Sequence, residues 1–127
     1  MLRVGLDIDN TITRNPEFFR FLTHPLRDKG GETHIVSSRT DSEEVRRQTE
    51  KELKSLGIVY DRMFLLPNQA VADAVCPHSD LDWYQRCAWQ KVDYCPSHGI
   101  LIFFDDEEKV ARLFQRFAPG IQVVLWV

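Results

Sequence analysis

Three apolar runs in this 127-residue chain stop in residues that can do chemistry. The first, R-V-G-L-D-I-D-N-T-I-T (Arg3 to Thr13), carries Asp7 and Asp9, with Thr11 following. The second, T-H-I-V-S-S, closes in Ser37 and Ser38 with Arg39 behind them, and the third, I-L-I-F-F, closes in Asp105 and Asp106. Lys91 lies ahead of the third. Aspartate is a poor strand residue and costly to bury alone, so a pair at a strand end calls for a compensating ligand. An anionic substrate cannot approach several carboxylates unless a cation offsets their charge, and a hard divalent ion such as Mg2+ takes oxygen ligands and keeps several waters.

Phosphoryl transfer from a monoester suits this set. Asp7 and Asp105 would hold Mg2+ by side chain, with Asp106 beside them and Asp9 adding its backbone carbonyl. The Asp7 carboxylate would then attack phosphorus in line and form an aspartyl-phosphate. Asp9 would give a proton to the leaving oxygen and later take one from water, and crowding among like charges would keep it protonated long enough. The Ser37 hydroxyl would hold phosphate oxygens, and Lys91 would stabilise both nucleophile and transferring group. Thr11 would buttress the loop from the substrate's side, and Ser38 and Arg39 are candidate substrate contacts. Arg39 has a plainer alternative, an ion pair with the acidic helix that follows. Asp9 and Asn10 have one too, as turn-forming side chains.

The elements that must position these groups follow from periodicity and punctuation. A strand opens the chain. Asn15 can cap a helix with Pro16 at its first position and an apolar side of Phe18, Phe19, Phe21 and Leu22, ended by Pro25. Thr33 to Ser38 reads as a second buried strand. Asp41 or Ser42 opens a helix with Glu43 and Glu44 in its first turn, stopped by Gly57. Arg62 to Leu66 is a third strand, Gln69 to Cys76 a short helix, and a further helix runs from about Ser79 or Asp80 to about Lys91. Cys95 to Gly99 reads as a loop, Ile100 to Phe104 as the most hydrophobic strand, Glu107 to Phe117 as an amphipathic helix, and Ile121 to Val127 as a last strand. Strands alternating with helices predict an α/β fold with a parallel, doubly wound sheet, and in such sheets ligands sit beyond the carboxyl ends of the strands.

The series Asp7-Ile8-Asp9-Asn10-Thr11, then Ile35-Val36-Ser37-Ser38-Arg39, then Lys91, then Phe103-Phe104-Asp105-Asp106 resembles the haloacid dehalogenase-like superfamily. The resemblance implies a three-layer Rossmann-like core, a parallel five-stranded sheet in the order 3-2-1-4-5, and Mg2+-dependent phosphatase chemistry; the second aspartate, here Asp9, is typical of the phosphatase branch. The caps that close most family active sites are nearly missing. Residues 1–127 read as a single core domain with small insertions at about 12–32 and 67–98. An open site suits a macromolecular or bulky phosphorylated substrate, or a lid lent by another subunit of a homo-oligomer. Phe18, Phe19 and His24 are candidate substrate contacts on the first insertion. Competing readings are a nucleotide or polynucleotide-end phosphatase or phosphotransferase, a receiver-like domain, whose motif order differs, and a catalytically silent phosphate-binding domain.

Cys76 with His78 and Cys95 with His98 resemble two halves of a structural Zn2+ site, whereas free cysteines are commonly buried as small apolar residues. Trp83, Tyr84 and Trp89 could stack a base, but their spacing suits packing better. A net charge of −3 leaves no basic footprint for nucleic acid. Charged Arg3 and Asp7 interrupt the only N-terminal apolar run, so neither a secretory leader nor a membrane span is expected. An odd number of cysteines, three, fits reduced thiols and a cytoplasmic location.

Overall fold

Strand β1, Arg3–Leu6, is the centre of a parallel sheet in the computed structural model, which describes residues 1–126. Around it run β2 (Glu32–Thr40), β3 (Arg62–Leu66), β4 (Ile102–Asp105) and β5 (Gln122–Leu125), in the order β3-β2-β1-β4-β5. Every pairing is parallel. Helices α1 (Pro16–Asp28), α2 (Glu43–Ser55), α3 (Gln69–Val75), α4 (Trp83–Ser97) and α5 (Glu108–Phe117) connect the strands. The chain is therefore an α/β protein with the Rossmann-like sheet order expected from the sequence.

The period of two along β1 sets the layers. Val4, Leu6 and Ile8 join Phe19 of α1 and Leu53 of α2 in one buried cluster. Gly5 faces the other way, toward the cluster that α4 and α5 build with Phe103. A side chain at residue 5 would stand 2.8 Å from the Phe103 ring, so the close approach of β1 to that layer requires glycine. The same alternation turns Asp7, two residues beyond Gly5, and Asp105, two beyond Phe103, toward α4.

Caps agree with the sequence where a side chain states them. The Asn15 side chain accepts from Phe18 N–H (3.3 Å), and Ser42 Oγ accepts from Val45 N–H (3.1 Å). Gly57, at φ 74°, takes the left-handed conformation that stops α2. Two expected boundaries are overruled. Helix α1 runs through Pro25 to Asp28, and α4 runs through Cys95 and Pro96 to Ser97, where the sequence suggested a stop near Lys91 and a loop. Both prolines are exposed, so water can replace the helical bond each removes. Meanwhile Val92 and Cys95 bury an apolar stripe that keeps the helix going. Asp82, and not residue 79 or 80, caps α4 in a reciprocal box with Gln85. The expected last strand covers Gln122–Leu125; Val127 lies outside the described residues.

The two small insertions belong to the layers flanking the sheet. Phe19 is fully buried, Phe18 packs between Phe104 and Trp126, and His24 Nε2 hydrogen bonds the Gly57 carbonyl at 2.9 Å. Phe19 is thus core and not the substrate contact expected of it, while Phe18 and His24 make packing and helix-junction contacts. No helix among the described residues is long and apolar enough to cross a membrane.

Candidate phosphoryl-transfer site

Lys91 is the pivot of the site. It sits in the buried stripe Ala88, Lys91, Val92, Cys95 of α4, with 1% of its surface exposed. Its Nζ donates to Asp7 Oδ1 at 3.1 Å and to Asp105 Oδ2 at 2.8 Å, and lies 5.7 Å from the Phe103 ring centroid. Burial alone would favour the neutral amine, but the two carboxylates outweigh it and hold Lys91 charged, above the usual lysine range. The lysine read from the sequence thus reaches both acids. Lys109, the other lysine nearby, instead lies over the Tyr84 ring at 5.3 Å.

The acids are held by the strand ends. Asp7 N–H donates to the Phe104 carbonyl at 3.0 Å, which continues the β1–β4 ladder one residue past the strand. Asp105 is fully buried; its Oδ1 accepts from Glu107 N–H at 2.9 Å, and its backbone carbonyl accepts from Trp126 N–H at 2.7 Å. Thr11 Oγ1 reaches Asp7 Oδ2 (3.3 Å) and Asp106 Oδ1 (3.5 Å), the buttressing contact expected of it. It gets there because the chain after Asp7 makes a wide turn, Ile8–Ile12, closed by Thr13 N–H on the Ile8 carbonyl at 3.1 Å. Asn10 supplies the left-handed residue of that turn, at φ 62°, a conformation asparagine adopts more readily than most.

Asp7, Asp105 and Asp106 each offer a carboxylate oxygen within 4.8 Å of the others. Among the described residues this is the only such group of three or more His, Cys, Asp or Glu ligand atoms. Burial pushes the Asp7 carboxyl up to about 7; Asp105 adds to the rise, and Lys91 pulls against it. Three clustered carboxylates, two of them paired with a single ammonium, leave negative charge uncompensated. A donor set made only of carboxylate oxygens fits a hard divalent cation.

Asp9 behaves otherwise than expected. Its side chain is 60% exposed and outside the trio, paired with two guanidinium nitrogens of Arg39: Nε to Oδ2 at 3.0 Å, Nη2 to Oδ1 at 2.8 Å. That bidentate pair holds Asp9 below the usual carboxylate range, the reverse of the expected protonation by crowding. Arg39 is itself fixed by Glu52 Oε1 at 2.7 Å and Thr49 Oγ1 at 3.1 Å on α2. So the ion pair with the acidic helix exists, and a second one with Asp9 stands beside it.

What aims Arg39 is a bulge. Ser37 pairs with Leu65 and Thr40 with the very next residue, Leu66, so Ser38 and Arg39 have no partner in the register. Such an extra length kinks a strand and re-aims its side chains. Ser37 is buried and its Oγ accepts from Arg39 N–H at 3.1 Å, which ties the bulge down. Ser38 is exposed and lines a neighbouring cleft.

Cys76, His78, Cys95 and His98, expected as two halves of a zinc site, form no ligand group among the described residues. Cys95 is buried in the core on α4, where burial pushes its thiol up to about 12, far from the thiolate a metal takes. His98 stacks on Tyr94 at 3.8 Å and His78 on Phe117 at 4.1 Å. Trp89 is half-buried and meets His78 edge-on, the packing role expected, but Trp83 is 64% exposed. The sequence missed Thr49 and Glu52, whose only signal is their place on the inner edge of α2 facing Arg39.

Fold and site together define a class: a Rossmann-like α/β protein with an acid–lysine cluster at the carboxyl edge of its sheet. No family model matches the chain, and no curated protein matches it.

Proposed function

We propose that the protein is a Mg2+-dependent phosphomonoester hydrolase of the haloacid dehalogenase-like type, working through a phosphorylated Asp7. The observation that carries this reading is the buried bridge of Lys91 to Asp7 and Asp105, with Asp106 alongside. An isolated structural ion pair would match one lysine to one acid. Two acids on one lysine with a third carboxylate beside them, at the edge where α/β sheets bind ligands, are costly unless a ligand shares the site.

Asp7, Asp105 and Asp106 would hold the divalent ion, which when bound offsets the charge of phosphate and carboxylates alike. Lys91 orients Asp7 and favours its ionised form against burial, with Oδ2 left to the weaker Thr11 contact. That oxygen is the one with freedom to attack phosphorus as the leaving alkoxide departs. Asp9 rests as a carboxylate on Arg39, the form that takes a proton from water when the phospho-aspartate is hydrolysed. A bound phosphate, itself anionic, opposes that ionisation and favours Asp9 carrying a proton to the leaving oxygen.

The test is hydrolysis of p-nitrophenyl phosphate by the whole chain. Activity that depends on added Mg2+, is removed by chelation and is lost in Asp7→Asn is the expected result. Turnover that survives in Asp7→Asn would remove Asp7 as nucleophile.

A further inference from the structure

On the α4 face that carries Lys91 lies a cleft of about 280 Å3, bounded by Ser38, Thr40, Leu66, Trp83, Tyr84 and Ala88. It opens where the bulged end of β2 and the end of β3 meet the first turns of α4. Its two aromatic walls stand edge-on to each other, with ring centroids 5.9 Å apart at 88°. Trp83 is 64% exposed, yet its position is built. The Asp82–Gln85 capping box fixes the turn that carries it, and Gln69 Nε2 donates to its carbonyl at 3.1 Å. The other bonds of Gln69, to Asp73 Oδ1 at 2.8 Å and from Cys87 Sγ at 3.2 Å, hold that side chain in turn. With the backbone of Trp83 fixed, less freedom is left for binding to remove at the mouth of the cleft.

The cleft and the acid cluster share one helix face. Tyr84, Ala88 and Lys91 fall at i, i+4 and i+7 of α4, so cleft wall, cleft floor and site lysine form a single stripe about 10 Å long. Ser38 adjoins Ser37 in the same bulge. Tyr84 also feels the site electrostatically: burial raises its phenol, and Glu107, Asp105 and Asp106 add to that effect.

We propose that this cleft is the substrate-recognition pocket of the site and takes a planar aromatic ring carried by the leaving group of the phosphomonoester. The inference rests on the phosphomonoesterase reading for the place of the phosphate. Two aromatic walls favour a flat π system over a sugar or an alkyl chain, and the hydroxyls of Ser38 and Thr40 can meet polar atoms on the ring edge. The volume admits a ring and excludes a folded domain. A nucleobase and a phenol both meet this description, and the stripe length suits the distance from phosphate to ring in either.

Calorimetric titration of the whole chain in Mg2+ distinguishes them, with adenosine monophosphate, phosphotyrosine and glycerol 3-phosphate as probes and Asp7→Asn used to prevent turnover. The ring-bearing probes should bind at least about tenfold more tightly than glycerol 3-phosphate. The tighter of the two names the ring. In the same background Trp83→Ala, at an exposed position that the fold does not need, should weaken the ring-bearing probes about ten- to hundredfold and leave glycerol 3-phosphate unchanged. Ala88→Leu, which fills the cleft floor, should do the same. Equal binding of all three probes, or Trp83→Ala binding them as its parent does, overturns the proposal. Adenosine and tyrosine, which lack the phosphate, separate the two readings. Trp83-dependent binding of either supports the pocket even if no phosphate ester is hydrolysed. Hydrolysis with no Trp83 dependence removes the pocket and leaves the phosphatase.

Discussion

At the scale of single residues, the informative pair is Asp9 and Arg39. Two acids two positions apart look equivalent in sequence, yet one is buried on a lysine and the other is clamped in solvent by a guanidinium. On the proposed reading these environments would divide the work, Asp7 attacking phosphorus and Asp9 trading protons. If Asp9 protonates the leaving oxygen, its removal should matter most where the leaving group is a poor one. In Asp9→Asn, kcat for an alkyl phosphate should fall by about 10²–10⁴. The first step with p-nitrophenyl phosphate, whose phenolate leaves unaided, should be nearly unaffected and should appear as a burst of nitrophenol before a slow steady state. Rapid-mix kinetics on the two substrates reads the difference. Equal loss in the first step on both would show that Asp9 only shapes the loop.

At the scale of elements, α4 carries most of what the sequence concealed. That three of the strands would end in acid or hydroxyl was legible, because aspartate at the end of an apolar run stands out against the strand's own residues. The lysine was legible too, from its place ahead of the last apolar run that ends in acid. The length of α4 was not, since Pro96 reads as a terminator until one knows that its face is solvent. Nor was the bulge at Ser38–Arg39, because two residues without a partner leave no mark on a hydrophobic pattern. Without the bulge, the partner of Asp9 thirty residues away could not be read, and crowding was the natural expectation in its place. The buried end of α4 supplies a prediction of its own. Cys95 keeps its thiol proton up to about pH 12 in the folded chain because burial opposes the thiolate, whereas the unfolded thiol loses it near 9. Between those values the unfolded state holds fewer protons than the native one, so stability falls as pH rises, by at most about 1.4 kcal/mol per pH unit from this group. Cys95→Ala should be less stable than the parent at pH 8, but the gap should narrow by pH 10. Urea midpoints of both proteins at the two pH values measure it.

For the whole molecule, the question is why a small α/β domain keeps like charges under its central strands. The apolar layers on both faces supply the stability that tolerates them, and Lys91 is the one internal cation set against Asp7 and Asp105. Lys91→Met keeps most of the side-chain volume and removes only the charge. Breaking a buried ion pair from one side costs about 3–5 kcal/mol, because the acids left behind are uncompensated. Lost packing of the lysine stem would cost something as well, and a double substitution separates the two causes. If charge is the cause, Lys91→Met with Asp7→Asn should be more stable than Lys91→Met alone; if packing is the cause, the second change should only add to the damage. Divalent cation gives the same answer by another route. An ion that binds the native state alone stabilises it by about 2.7 kcal/mol at a hundredfold excess over its Kd. Mg2+ should therefore raise the Tm of Lys91→Met by more than that of the parent, whose ammonium already repels it. Adding Asp105→Asn to either protein should remove the shift. A Tm indifferent to Mg2+ in every one of these proteins would mean that the three acids do not hold a cation, and the chemistry proposed for them would have to be abandoned.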